Sequence, residues 1–230
     1  MNKKVAFVHT VVFLAEQFKK LIAEILPDVR VFHIVDESLL QDMMSIGRLT
    51  PPIVRRLCCQ IVLAREGGAD LIMVTCSSVS PGVDVARQIV DVPVLKIDDP
   101  MAERAVEIGN TIGVLATAST TLTNSSELVK SKAELKGRSV KVSPLLCKEA
   151  FQALLKGNKE QHDRLVTEAA LELAKNTDVV VLAQASMSHL SYKIEKGTKT
   201  PILTSPELAV AAIRRMLGRG HKKSEAEEIG

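Results

Sequence analysis

A chain of 230 residues, 46% of them hydrophobic, is long enough to build one large core or two smaller ones. Its 30 basic and 27 acidic side chains are interspersed for a net charge of +3, and with no Trp, one Tyr and five Phe it lacks both the basic stripe and the stacking rings that nucleic acid requires. No apolar run approaches the length of a bilayer span, so a globular protein without membrane or nucleic-acid partners is expected.

The opening segment, MNKKVAFVHTVVFLAEQFKK, sets a basic start against an apolar run, but His9 and Thr10 interrupt that run and no small-residue cleavage pattern follows. It reads as a first strand and helix. Along the rest of the chain, apolar runs of strand length alternate with helix-period stretches, the pattern of an α/β protein with mostly parallel sheets. Strands are expected at Val5 to His9, Val29 to Ile34, Leu71 to Thr75 and Val92 to Ile97, then at Ile112 to Ala116, Val140 to Pro144, Val179 to Ala183 and Ile202 to Thr204. The helix RRLCCQIVLAREGG, between the second and third strands, carries Cys58 and Cys59 toward the core and stops at Gly67 and Gly68.

The eight strands fall into two matching sets of four. VAFVHT pairs with IGVLAT, VRVFHI with VKVSPL, ADLIMVTCSS with TDVVVLAQAS, and VPVLKID with TPILTS; Asp70 meets Asp178 and Pro93 meets Pro201 at one common spacing. Any α/β chain yields similar apolar blocks, but the matched Asp and Pro go beyond composition. The expected architecture is two pseudo-twofold-related α/β lobes, each a mostly parallel four-stranded sheet flanked by helices. The first lobe takes residues 1–97 plus 205–217, the second takes 98–204, and 218–230 form a polar tail. The last helix, Pro206 to Leu217, corresponds to Pro100 to Ile108 and is expected to cross between the lobes.

Ligands of parallel α/β sheets sit beyond the carboxyl ends of the strands. Those ends carry His9 and Thr10, Cys76 with Ser77 and Ser78, Thr117 with Ser119, and Gln184 with Ser186. Hydroxyls before helices are ordinary N-caps, yet a strand end running into a helix also offers free N–H groups and a positive dipole end to a carboxylate. The few cations at these ends leave anion binding to backbone amides, which suits a carboxylate better than a phosphate ester. Cys58, Cys59 and Cys147 read as small core side chains, whereas Cys76 ends a strand inside a run of hydroxyls and has a reason to ionise. No cysteine spacing suggests zinc or disulfides, which points to a reducing compartment, the cytoplasm. The five histidines are scattered, no Gly-rich phosphate loop occurs, and HTVVFL follows the first strand where a dinucleotide fingerprint would stand; no metal and no cofactor are expected.

Cys76-Ser77-Ser78 with the following SPGVDVAR, GVLAT from Gly113 to Thr117 with Thr120 and Thr121, and VVVLAQASM from Val179 to Met187 resemble the aspartate/glutamate/hydantoin racemase superfamily. The similarity covers nearly the whole chain, and Ala185 and Met187 lie nearer its hydantoin racemase branch. The resemblance implies an enzyme that needs no cofactor and acts on a small carboxylate. In it two cysteines face each other across the substrate's α-carbon, while amides and hydroxyls hold the acid group. His9, Thr10, Ser77, Ser78, Thr117, Ser119 and Ser186, at these strand ends, would then bind substrate, and a homodimer is a family-level expectation.

One departure bears on the chemistry. The repeat maps Cys76 onto Gln184, whose amide does not exchange protons usefully near neutral pH. Three readings follow. Cys76 works alone as base or nucleophile with Gln184 binding the substrate, as suits a one-cysteine isomerase, lyase or decarboxylase. Alternatively His189, or His9, replaces the lost thiol, although a lone histidine is more often structural. The third reading is an inactive relative that only binds a carboxylate. Specificity is expected from Asp42 to Thr50 and from Leu122 to Ser126.

Overall fold

The computed structural model describes residues 3–227, with side chains to Gly218. In chain order it runs β1 (Lys4–His9), α1 (Val12–Ile25), β2 (Arg30–Val35), α2 (Glu37–Ile46), α3 (Pro51–Glu66), β3 (Leu71–Val74), a 3-10 turn at Ser80–Gly82, α4 (Val83–Ala86) and β4 (Val94–Lys96). Then follow α5 (Asp99–Ile108), β5 (Thr111–Ala116), α6 (Ser119–Leu135), β6 (Lys141–Leu146), α7 (Lys148–Leu155) and α8 (Lys159–Ala174). The chain ends with β7 (Val179–Leu182), a 3-10 turn at Ala185–Leu190, α9 (Ser191–Glu195), β8 (Ile202–Thr204) and α10 (Ser205–Glu227). The last helix thus continues past Leu217 into the segment expected as a tail, of which residues 228–230 lie outside the described residues.

Two four-stranded sheets result, in the orders β2-β1-β3-β4 and β6-β5-β7-β8, and every pairing is parallel. The repeat seen in the sequence is therefore a repeat of strand order. Its matched residues have matching structural tasks. Asp70 Oδ2 accepts the Lys4 N–H at 2.8 Å at the start of β1, and Asp178 Oδ2 accepts the Asn110 and Thr111 N–H groups at 2.9 and 2.8 Å at the start of β5. Each aspartate satisfies donors that a central strand leaves open at its first residues. Pro93 and Pro201 precede the edge strands β4 and β8, where a missing N–H costs no ladder bond, and their carbonyls accept from Ile72 and Val180 at 2.9 Å.

The sheets are covered on both faces, so their central strands read as unbroken apolar runs. In β1, Ala6 and Val8 pack toward Leu57 and Ile61 of α3, while Val5 and Phe7 pack on the opposite face toward Phe18 of α1. That second face is completed by Ala209, Val210 and Ile213 of α10, which follows the second sheet in the chain. Met101, Ala105 and Val106 of α5, which follows the first sheet, in turn cover the second, beside Val129 and Ala133 of α6. Each sheet thus receives a helix from the other half of the chain. In α3, Cys58 is buried and Cys59 exposed; adjacent helical residues point about 100° apart, so only one of the pair can face the core. At Gly113 in β5 a Cβ would fall 2.6 Å from Leu173 Cγ, which accounts for the glycine in a buried strand.

Because Ile213 is fully packed in the exchanged interface, Ile213→Ala is expected to lower unfolding free energy by about 2–5 kcal/mol. Urea titration checks this, and an unchanged midpoint would mean that α10 is not part of the cooperative unit.

Candidate active site

The carboxyl ends of β1, β3, β5 and β7 meet across a cavity of about 240 Å³ between the two sheets. Thr10, Thr75, Cys76, Ser77, Ser78, Thr121, Gln184 and Ser186 supply its polar lining. The rest is apolar: Phe13 and Leu14 from α1, Leu40 and Met44 from α2, and Phe151 and Leu154 from α7. Among the described residues, no Lys or Arg lines it.

Cys76 leaves β3 on the floor of this cavity with 8% of its surface exposed. Burial raises its pKa and outweighs three opposing effects: the nearby Thr10 hydroxyl and the backbone N–H groups of Val79 and Ser78 favour the thiolate, while the charge of Asp98 works against it. The Thr10 contact is a proximity, since Thr10 Oγ1 makes no hydrogen bond of ordinary geometry. Burial of the sulfur therefore works against the readily ionised thiol expected at this turn, and the neighbouring donors work for it. Ser78 is braced from the other lobe by Thr121 Oγ1 at 3.0 Å and Thr120 Oγ1 at 3.2 Å. Asn124 donates to the Ser77 and Ser78 carbonyls at 3.2 and 3.0 Å. The loop bearing the thiol is thus held by α6.

Opposite, Gln184 Oε1 accepts two hydrogen bonds from Thr117, from the backbone N–H at 2.6 Å and from the hydroxyl at 2.9 Å. A backbone N–H can only donate, so the amide is oriented with its oxygen on Thr117 and its NH₂ group left for the cavity. Gln184 is therefore a fixed donor. Thr117 acts behind it without lining the cavity, and the α6 N-cap is Ala118, which makes no side-chain cap bond.

The structure does not bring every expected residue to the cleft. His9 continues the alternation of Val5 and Phe7, so it points to the α1 face, fully buried and stacked on Phe7. The Thr75 hydroxyl donates to Val8 O at 3.2 Å and accepts from His9 Nδ1 at 2.7 Å, leaving His9 Nε2 to accept from His33 Nδ1 at 2.9 Å. Desolvation, with His33 adding, lowers the His9 pKa to about 3, so it stays neutral and is occupied on both nitrogens. His189 points outward, its Nε2 3.0 Å from Asp163 Oδ2, and does not face Cys76. Ser119, the first residue of α6, is exposed outside the cavity. Of the two segments expected to set specificity, Met44 of the first lines the cavity and Asn124 of the second braces the thiol loop. Sequence reasoning missed the buried Asp98 and, apart from the segment of Met44, the apolar wall. No group of three His, Cys, Asp or Glu side chains among the described residues is placed to hold a metal ion, and no described helix is long and apolar enough to cross a membrane.

Fold and cleft together define a pseudo-symmetric two-lobed α/β protein with one thiol in the cavity between its lobes. The chain belongs to the Asp/Glu/Hydantoin racemase family, whose model matches residues 10–213. It is similar to a hydantoin racemase from Rhizobium meliloti, 26% identical over 161 residues that make up 69% of this chain and 64% of that one. Among solved structures, an allantoin racemase from Klebsiella pneumoniae aligns with a TM-score of 0.70 at 15% identity, over 95% of this chain and 89% of the other. A glutamate racemase isoform from Bacillus anthracis aligns at 0.74 and 18% identity, over 95% and 82%. These structural likenesses concern the fold.

Since burial holds the Cys76 thiol in its protonated form, iodoacetamide near neutral pH is expected to label exposed Cys59 first and Cys76 slowly, with Cys76 labelling rising as pH is increased. Peptide mapping by mass spectrometry checks the order; Cys76 reacting first would show that the thiolate is better stabilised than its burial allows.

Proposed function

We propose that the protein catalyses a cofactor-independent proton transfer at the carbon α to a carboxylate or carbonyl of a small acid, with Cys76 as the single thiol base. The observation that carries this reading is the asymmetry of the cleft: a thiol on one wall and, at the repeat-related position, an amide whose oxygen is committed to Thr117. The thiolate takes the α-proton, the C–H bond breaks as S–H forms, and the electron pair moves onto the substrate's oxygen. The Gln184 NH₂ group and the hydroxyls of the cleft hold that oxygen as its charge develops. A thiol held above its ordinary pKa is a stronger base once ionised, which suits so weak an acid as an α C–H.

The lining argues for the kind of acid. A second carboxylate would meet Phe13, Met44 or Phe151 with no cation to pair with, and an unpaired buried charge is costly. The favoured substrate therefore has one acid or carbonyl group and an apolar substituent. Nothing on the opposite wall presents a proton from a second thiol, so return of the proton to the face it left is favoured over inversion.

In heavy water, 2-amino and 2-hydroxy acids with apolar substituents are expected to exchange their α-proton with retention, while aspartate and glutamate do not. Cys76→Ala should abolish exchange and Gln184→Ala should slow it by about 100-fold, the scale of one lost oxyanion donor. Proton NMR with chiral chromatography reads both events. Exchange with inversion would sink the one-base reading, whereas thermal stabilisation by the same acids without any exchange would make the cleft a binding site only.

A further inference from the structure

Asp98 is a carboxyl without an explanation in the fold. It occupies the N-cap position of α5, where an aspartate ordinarily accepts a backbone N–H of the first turn, yet its side chain makes no cap bond. It is 2% exposed, and its Oδ1 is buried with no hydrogen-bond partner. The register accounts for where it lies. Val74 pairs with Lys96, and Ile97 N donates to Val74 O at 3.0 Å, so Cys76 and Asp98, each two residues beyond the pair, leave adjacent parallel strands side by side. Ser77 stands next to both. Its hydroxyl lines the cavity, makes one long bond to Ala183 O at 3.3 Å, and lies close enough to the Asp98 carboxyl to favour its ionised form.

We propose that Asp98 is the proton partner of Cys76: the two share one negative charge on a single wall of the cleft, and Asp98 acts through the Ser77 hydroxyl as a positioning acid. The inference rests on Cys76 being the base of the site. When the thiolate takes the α-proton, the Ser77 hydroxyl gives its proton to the oxygen that receives the electron pair, and protonated Asp98 replaces it on Ser77. At rest the pair is thiol and carboxylate; passing the thiol proton to Asp98 gives the thiolate and carboxylic acid that enter the step, and the step restores thiol and carboxylate, so this pair of side chains carries one negative charge throughout.

The neighbouring charges agree. Asp99 follows directly, but its carboxylate is occupied by Arg87, just after α4, and by Lys132 of α6, each at 3.1 Å. Lys96 is held by Asp84 at 2.6 Å. Desolvation chiefly, opposed by Ser77 and by Lys96 and reinforced by Asp99, raises the Asp98 pKa to about 7, and its charge once formed raises that of Cys76.

The test reads protonation without turnover, so it stands apart from whether any acid exchanges its α-proton. The pH profile of Cys76 alkylation by iodoacetamide is measured in the unmutated protein and in Asp98→Asn, with circular dichroism confirming the fold. Removing the charge should shift the Cys76 profile to lower pH and speed its labelling severalfold at pH above that at which Asp98 ionises. Superimposable profiles would overturn the pairing. In the unmutated protein, an infrared band of a protonated carboxyl should persist at pH 6 and disappear as pH passes through about 7. Its absence at pH 6 would overturn the proposal even if Asp98→Asn failed to fold.

Discussion

The backbone N–H of Thr117 is the interaction on which the cleft turns. It lies just past the end of a buried central strand, where an amide without a partner is costly, and Gln184 Oε1 supplies the acceptor at 2.6 Å. That one bond fixes the orientation of the only polar side chain placed opposite Cys76 by the repeat. It converts a residue able to donate and accept into one that donates. A fold with two equivalent halves thereby presents an inequivalent pair of groups, a thiol from one sheet and an amide from the other. The exchanged helices reinforce this arrangement: α10 packs on the first sheet and α5 on the second, so each wall is backed by a helix from the other half of the chain.

Charge burial sets the second constraint. The cavity takes its walls from Phe13, Leu40, Met44 and Phe151 and is lined by no described cation, so each negative charge inside must be held by dipoles alone. Backbone N–H groups of Ser78 and Val79 at the sulfur, and the Gln184 amide opposite, are dipoles of this kind. They are enough to favour an anion locally and too few to overcome desolvation of the thiol.

Much of this was legible in the sequence because it depends on periodicity. The strands follow from apolar runs, and the strand order from the repeat. Asp70 matches Asp178 and Pro93 matches Pro201 because their tasks are backbone ones that any pair of equivalent strands must solve. Gln184 was located the same way. His9 was misplaced although the information was present: residue 9 continues the face of Val5 and Phe7, so a strict alternation already directs it away from the cleft. His189 and Ser119 were misplaced for a different reason. Each lies in or at the start of a helical turn, where a single residue's advance rotates a side chain by about 100° and proximity in sequence says little about direction.

The apolar wall and Asp98 are hard to read from sequence for one shared reason. Phe13, Met44 and Phe151 come from three helices that are distant in sequence, and each looks like an ordinary apolar residue of an amphipathic helix. Asp98 stands in KIDDP, a string that reads as a helix start, and its carboxyl becomes unusual only once the expected cap bond is seen to be missing. Both features are defined by what is absent around a group, a cation in one case and a hydrogen-bond partner in the other. Sequence patterns report which groups are present. What a buried group lacks emerges only from packing, and here that lack joins Asp98 to the thiol on the neighbouring strand.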